Sequence, residues 1–211
     1  MDIEFTRPEE IEGRSMAIIQ RELEALGELP PADRLPVIKR VIHTTADFDY
    51  RENLWFSPGA VEAGLAALRT GAWVITDTNM AKAGINKKAL ERLGGRVLCF
   101  MAEDEIAKTA RERGETRAAV SMEAAAALDT GRAPLILAIG NAPTALIRAC
   151  RLMEEGKLKP ALLIGAPVGF VNVVESKEMA EGAGCPRIIA RGRKGGSTVA
   201  AAIVNALLAY K

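Results

Sequence analysis

Three short apolar runs in the second half of the chain constrain its fold more than any other feature. They are Pro134-Leu135-Ile136-Leu137-Ala138-Ile139, Ala161-Leu162-Leu163-Ile164 and Arg187-Ile188-Ile189-Ala190. A strand with one wet face alternates apolar and polar residues, and these runs do not, so both of their faces must be buried. Each run ends in a loop rich in Gly or Pro and is followed by a helical pattern. The first loop is Gly140-Asn141-Ala142-Pro143-Thr144 and the second is Gly165-Ala166-Pro167-Val168-Gly169-Phe170. The third is Arg191-Gly192-Arg193-Lys194-Gly195-Gly196-Ser197. Buried strands alternating with helices require a parallel sheet covered on both sides. The expected class is α/β, doubly wound, with a mostly parallel sheet and helices on both faces. No linker rich in Pro, Gly or Ser interrupts it, so residues 1–211 are expected to form a single domain.

The first half reads less regularly. Met16, Ile19, Leu23 and Leu26 recur at helical spacing and predict a helix over 13–26, with Ser15 near its start. Pro30-Pro31 breaks the chain, and Asp33 is placed to cap a second helix that tolerates Pro36 in its first turn and ends near His43. Residues 47–56 read as a loop over that helix end. Ser57-Pro58-Gly59 reads as the start of a helix that Gly71 stops. Strands are expected at 73–76 and 96–100, and helices at 86–93, 102–113 and 116–128.

Composition excludes several classes of function. Basic and acidic side chains number 28 and 27, which leaves no excess to neutralise a nucleic-acid backbone. Three scattered cysteines and one histidine supply neither a disulfide framework nor a zinc cluster. The longest apolar stretch, near 199–210, is too short for a bilayer and holds Asn205. The start Met1-Asp2-Ile3-Glu4-Phe5 is acidic where a secretory leader would be basic. A cytoplasmic protein that engages neither membrane nor nucleic acid is expected.

His43 is the only histidine, and so the only side chain whose unperturbed titration falls near neutral pH. Arg40 precedes it by three residues, which on a helix puts both on one side, and a helix ending there presents its negative pole to a cation. That suits a proton donor facing an anionic ligand. In open parallel sheets ligands gather at the strand carboxyl ends, where the loops with Asn141, Gly169 and Gly195 lie. The third loop adds three cations to a glycine-rich turn, yet it lacks the spacing of a Walker A motif, and no GxGxxG follows a strand. A phosphate- or nucleotide-binding enzyme therefore rests on that loop alone.

Taken together, Gly140-Asn141-Ala142-Pro143-Thr144-Ala145-Leu146, Pro167-Val168-Gly169-Phe170-Val171, Glu175-Ser176-Lys177 and residues 191–197 resemble the precorrin-8X methylmutase family, which includes cobalt-precorrin-8 methylmutase. Arg14-Ser15-Met16-Ala17-Ile18-Ile19 and Arg40-Val41-Ile42-His43 extend the likeness over nearly the whole chain. The resemblance implies an isomerase of cobalamin biosynthesis, moving a methyl group from carbon 11 to carbon 12 of a corrin precursor to give hydrogenobyrinate or cobyrinate. It places the active-site histidine on His43 and substrate contacts on Ser15 and Arg40. The loops add Asn141, Thr144, Gly169, Arg191, Gly195 and Ser197 as candidate contacts. It also implies a homodimer with the macrocycle near the subunit interface, an anionic corrinoid as substrate and product, and no cofactor. Met16, where some relatives carry an aromatic residue, departs from the pattern. A noncatalytic tetrapyrrole carrier is the alternative that the same cavity would allow. No residue pattern tells whether the substrate holds cobalt.

Overall fold

The structure, a computed structural model, describes residues 7–210. The acidic start at Met1-Asp2-Ile3-Glu4-Phe5 lies outside the described residues. Helices α1 (Pro8–Ala25) and α2 (Leu35–Thr45) lead to a single turn, α3 (Tyr50–Asn53), and to strand β1 (Leu54–Phe56). Helix α4 (Ala60–Arg69), strand β2 (Trp73–Thr76), helices α5 (Asn79–Gly84) and α6 (Lys87–Arg92) and strand β3 (Arg96–Leu98) follow. Helices α7 (Asp104–Arg113) and α8 (Arg117–Ala126) precede the regular half. That half comprises β4 (Leu135–Ile139), α9 (Pro143–Glu154), β5 (Leu162–Gly165), α10 (Val173–Glu181), β6 (Arg187–Ala190) and α11 (Ser197–Leu208).

The six strands form one sheet in the order β1-β6-β5-β4-β2-β3. Every neighbouring pair is parallel except β1–β6, where Leu54 lies opposite Ala190 and Phe56 opposite Ile188. The chain winds outward from β2 to β3, then returns to place β4 on the other side of β2. The order of winding therefore reverses between β2 and β4. That is where a ligand crevice opens in sheets of this kind.

Side chains alternate between two cores with the period-2 geometry of strands. Ile136, Ala138, Leu162, Ile164 and Ile188 join the core under α1, α2, α4 and α11. Leu137, Ile139, Leu163 and Ile189 join the opposite core under α8, α9 and α10. Helix α11 is buried around most of its circumference, from Val199 through Leu207, because it sits inside a shell of α2, α4 and α5. Small residues allow that closeness: a Cβ on Gly64 of α4 would stand 2.9 Å from a methyl of Leu207.

Differences from the sequence expectations have local causes. The segment 47–56 holds α3 and the antiparallel edge strand β1, which is only three residues long and offers too short a pattern to read. Asp33 lies one residue before the α2 cap, which is Arg34, and Pro36 occupies the first turn as expected. Ser57 does not cap a helix. Its hydroxyl accepts the backbone N–H of Arg187 and ties the edge strand in place, while Gly59, at φ +71°, precedes α4. Helix α10 begins at Val173, ahead of the Ser176 expected, after Asn172 at φ +57°. No described helix is long and apolar enough to cross a membrane.

Candidate active site

The carboxyl ends of the parallel strands are stitched together by a few polar contacts. Asp77, directly after β2, has no exposed surface. Its carboxylate accepts three successive backbone N–H groups after β4: Gly140 at 2.9 Å, Asn141 at 2.8 Å and Ala142 at 2.7 Å. Burial pushes the Asp77 carboxyl up, and the three amide donors oppose that by favouring the ionised form. The contact spans the point where the winding reverses, so it fixes the loop that carries Asn141. Thr78 caps α5 through Ala81 N–H and shares a 2.7 Å hydrogen bond with Ser197 at the start of α11.

Backbone packing joins the remaining loops. Gly140 lies so close to the start of α11 that a Cβ there would meet Gly196 O at 2.7 Å. A Cβ on Gly195 would stand 2.3 Å from the carbonyl oxygen of Ala166 and 2.5 Å from that of Pro167. Gly196 N–H donates to Ala166 O at 2.8 Å, and Gly169, at φ +136°, donates to Arg193 O at 3.3 Å. These glycines serve close approach between loops.

Residues 191–196 are held from beneath by Lys177. This lysine of α10 is 1% exposed, and its ammonium donates to Gly192 O at 2.7 Å and Lys194 O at 2.8 Å. Burial without a carboxylate partner pushes its pKa down to about 8. Outside the loop, Lys194 is paired with Asp47 at 2.7 Å and Asp49 at 2.5 Å. The pairing holds the Asp47 carboxyl below its usual range. Tyr50 beside it is pushed up to about 12 by burial and by the charge on Asp47. Through this contact the C-terminal end of α2 lies against the strand carboxyl ends, and His43 stands exposed in its last turn.

Arg40, one turn earlier, is half-buried and paired with Glu12 of α1 at 2.6 Å. Lys39 donates to Gln20 of α1 at 3.0 Å. The two bonds lock α1 onto α2 and hold Ser15 on the same pair of helices, where its hydroxyl donates to Ile11 O at 2.9 Å. Met16, Lys39 and Arg40 line a cleft of about 350 Å³ between α1, α2 and α11.

The predicted contacts thus divide into two groups. Ser15, Arg40 and His43 lie on α1 and α2, while Asn141 and Gly169 lie on loops at the same end of the sheet. The others are engaged within the fold. Ser197 is buried against Thr78, and Gly195 is wedged between backbone carbonyls. Thr144 shares a 2.7 Å hydrogen bond with Thr116 at the start of α8, on the sheet face opposite α2. Arg191 makes a bidentate pair with Glu181 at 2.8 and 2.7 Å and lies over Trp55. The neighbouring Arg193 lies over the Phe170 ring instead, 5.5 Å from its centroid. Asp77, Thr78 and the Asp47–Asp49 pair were missed by the sequence reading. Asp77 could have been found, because an acidic residue directly after a buried strand sits where such sheets bind ligands.

Comparisons with known proteins agree with this arrangement. The family model described as Precorrin-8X methylmutase matches residues 10–210. The chain is 42% identical over 202 residues to a cobalt-precorrin-8 methylmutase of Priestia megaterium, covering 95% of this chain and 87% of that protein. It is 43% identical over 196 residues to a precorrin-8X methylmutase of Pseudomonas aeruginosa, covering 92% and 91%. The crystal structure of a precorrin-8X methyl mutase from Thermus thermophilus superposes with a TM-score of 0.83 at 38% identity, over 94% of this chain and 96% of that one. The mostly parallel sheet, the stitched carboxyl-end loops and the likeness over residues 10–210 have one explanation: this chain belongs to the precorrin-8X methylmutase family.

Proposed function

We propose that this protein isomerises precorrin-8X or cobalt-precorrin-8 by moving a methyl group from carbon 11 to carbon 12, with His43 as the general acid. The observation that carries the reading is the position of His43. The chain's only imidazole stands exposed on α2, at the carboxyl end of the sheet. A methyl shift around a conjugated ring needs an electron sink, which protonation of the macrocycle provides, so one acid suffices. Acid catalysis of this kind contributes about 10²–10⁴-fold, and alignment of the macrocycle with exclusion of water supplies the remainder. Ser15, Arg40, Asn141 and Gly169 are the candidate contacts that orient the ligand. Thr144, Arg191, Gly195 and Ser197 act behind them by fixing the loops.

The same reading takes the protein as a homodimer. Val168, Phe170 and Val171 are 43%, 83% and 77% exposed at this end of the sheet. Exposed apolar side chains of this kind are what a second copy and a flat macrocycle would cover. A cytoplasmic location fits the three free cysteines, Cys99, Cys150 and Cys185.

The test is to incubate the purified protein with metal-free and with cobalt-bound precorrin-8 in parallel and follow the corrin absorbance. Conversion of one or both is the expected result, and the faster one identifies the natural substrate. Recovery of both substrates unchanged would overturn the proposal. A His43→Ala variant separates an enzyme from a carrier, since it is expected to bind the corrinoid and to leave it unconverted.

A further inference from the structure

We infer that Lys177 is a positioning residue for His43, acting through the backbone of residues 191–196 and the ion pairs of Lys194. A fully buried ammonium is costly unless it answers a need, and here the need is visible. Residues 191–196 belong to no helix or strand, and the inward carbonyls of Gly192 and Lys194 have the Lys177 ammonium as their donor. Without it both carbonyls would lose that donor. With it, the loop is tied to α10 at two carbonyls, while Lys194 reaches outward to Asp47 and Asp49.

Short contacts run from Lys194 back toward His43. Asp49 N–H donates to Asp47 Oδ1 at 3.1 Å, and Asp47 N–H donates to Thr45 Oγ1 at 3.2 Å. Ala46, at φ +52°, ends α2 with its N–H on Ile42 O at 2.7 Å. Thr44 donates to Arg40 O at 2.9 Å. The body of α2 is fixed by Val37, Ile38, Val41 and Ile42 in the core. Its last turn is anchored on the core side by Ile42, while His43 and Thr44 point into solvent, and helix ends leave carbonyls unpaired and fray. The Lys194 pairs hold Asp47 and Asp49 just after that turn, and Lys177 holds the backbone that carries Lys194. Each surface pair is weak in energy, so the two together bias the position of this segment by an amount of that order.

The inference rests on His43 as the acid only for its kinetic readout. Its structural readout is independent, because a tag-free protein has a single imidazole and gives a single set of ring signals in a proton–carbon spectrum. Lys177→Met and Lys194→Ala are expected to move that signal and to lower kcat by up to about 10-fold, with a smaller change in KM. The control is Leu158→Ala, a buried residue at the opposite end of the sheet, which is expected to leave the signal in place. An unmoved signal and unchanged kcat in folded Lys177→Met would overturn the inference, as would an equal shift in the control. If Lys177→Met does not fold, Lys194→Ala and Asp49→Asn decide, and an unmoved signal in both overturns it. If the wild-type protein converts no corrinoid, the spectrum still decides the structural linkage and only the reaction assignment falls.

Discussion

At the scale of single residues, a carboxylate and a histidine have distinct duties. His43 is the residue whose loss should stop the reaction: His43→Ala is expected to lower kcat by about 10²–10⁴-fold while the corrinoid dissociation constant stays close to wild type. Stopped-flow absorbance and equilibrium titration check the two halves separately. Asp77 works on structure. Asn at this position keeps one carbonyl acceptor but turns an NH₂ toward amides that already donate to Oδ1 or Oδ2. Asp77→Asn should therefore cost about 1–3 kcal/mol for each amide left orphaned, measured as a lowered midpoint in urea. The lone histidine was legible from the sequence because scarcity alone marks it. The three-amide contact of Asp77 was not, since its donors lie more than sixty positions away.

At the scale of elements, the loops are shaped by close packing and by one buried charge. Gly195→Ala places a Cβ against two backbone carbonyls that cannot step aside, and overpacking of this kind costs about 1–3 kcal/mol or more. Thermal denaturation is expected to show the loss, with activity falling alongside as the 191–196 loop is displaced. Lys177 gives stability a signature in pH. Its pKa is about 8 in the fold against a reference value of 10.5. Below pH 8 both states carry the proton, so the penalty of burying the charge is fully present. Between 8 and 10.5 the unfolded chain binds a proton that the folded chain does not, so this residue makes stability rise with pH. The rise should be on the order of 1–3 kcal/mol, and Lys177→Met should lack it, as denaturant titrations at a series of pH values would show. The carbonyls that lose their donor in that variant add a constant offset and leave the slope interpretable.

At the scale of the whole molecule, the sheet order decides where chemistry can happen and which surface is left over. The reversal between β2 and β4 and the antiparallel edge at β1 bring α2 and the three glycine-rich loops to one end. That end carries the exposed Val168, Phe170 and Val171. Sedimentation is expected to find a dimer, and Phe170→Asp is expected to weaken it about 10- to 100-fold, the effect of losing about 1.5–3 kcal/mol of apolar burial. An unchanged association constant would place the dimer contact elsewhere.

The sequence by itself determined the parallel sheet, because three unbroken apolar runs cannot leave either face in water, and it determined the positions of most helices by their apolar spacing. It also marked His43 and Arg40 as a pair on one helix, and the family resemblance added Ser15. Only the tertiary structure decided which loop residues face outward. Ser197 and Thr78 stand 119 positions apart and meet as a hydrogen bond. Arg191 and Lys194 share one loop and turn to opposite partners, Glu181 and the Asp47–Asp49 pair. Lys177 reads in sequence as one more cation on a helix, and in the fold it is the buried donor that organises a loop. The physical reason is the same in each case: local pattern fixes periodicity and burial, whereas the partner of a polar group is set by the sheet order that brings distant segments together.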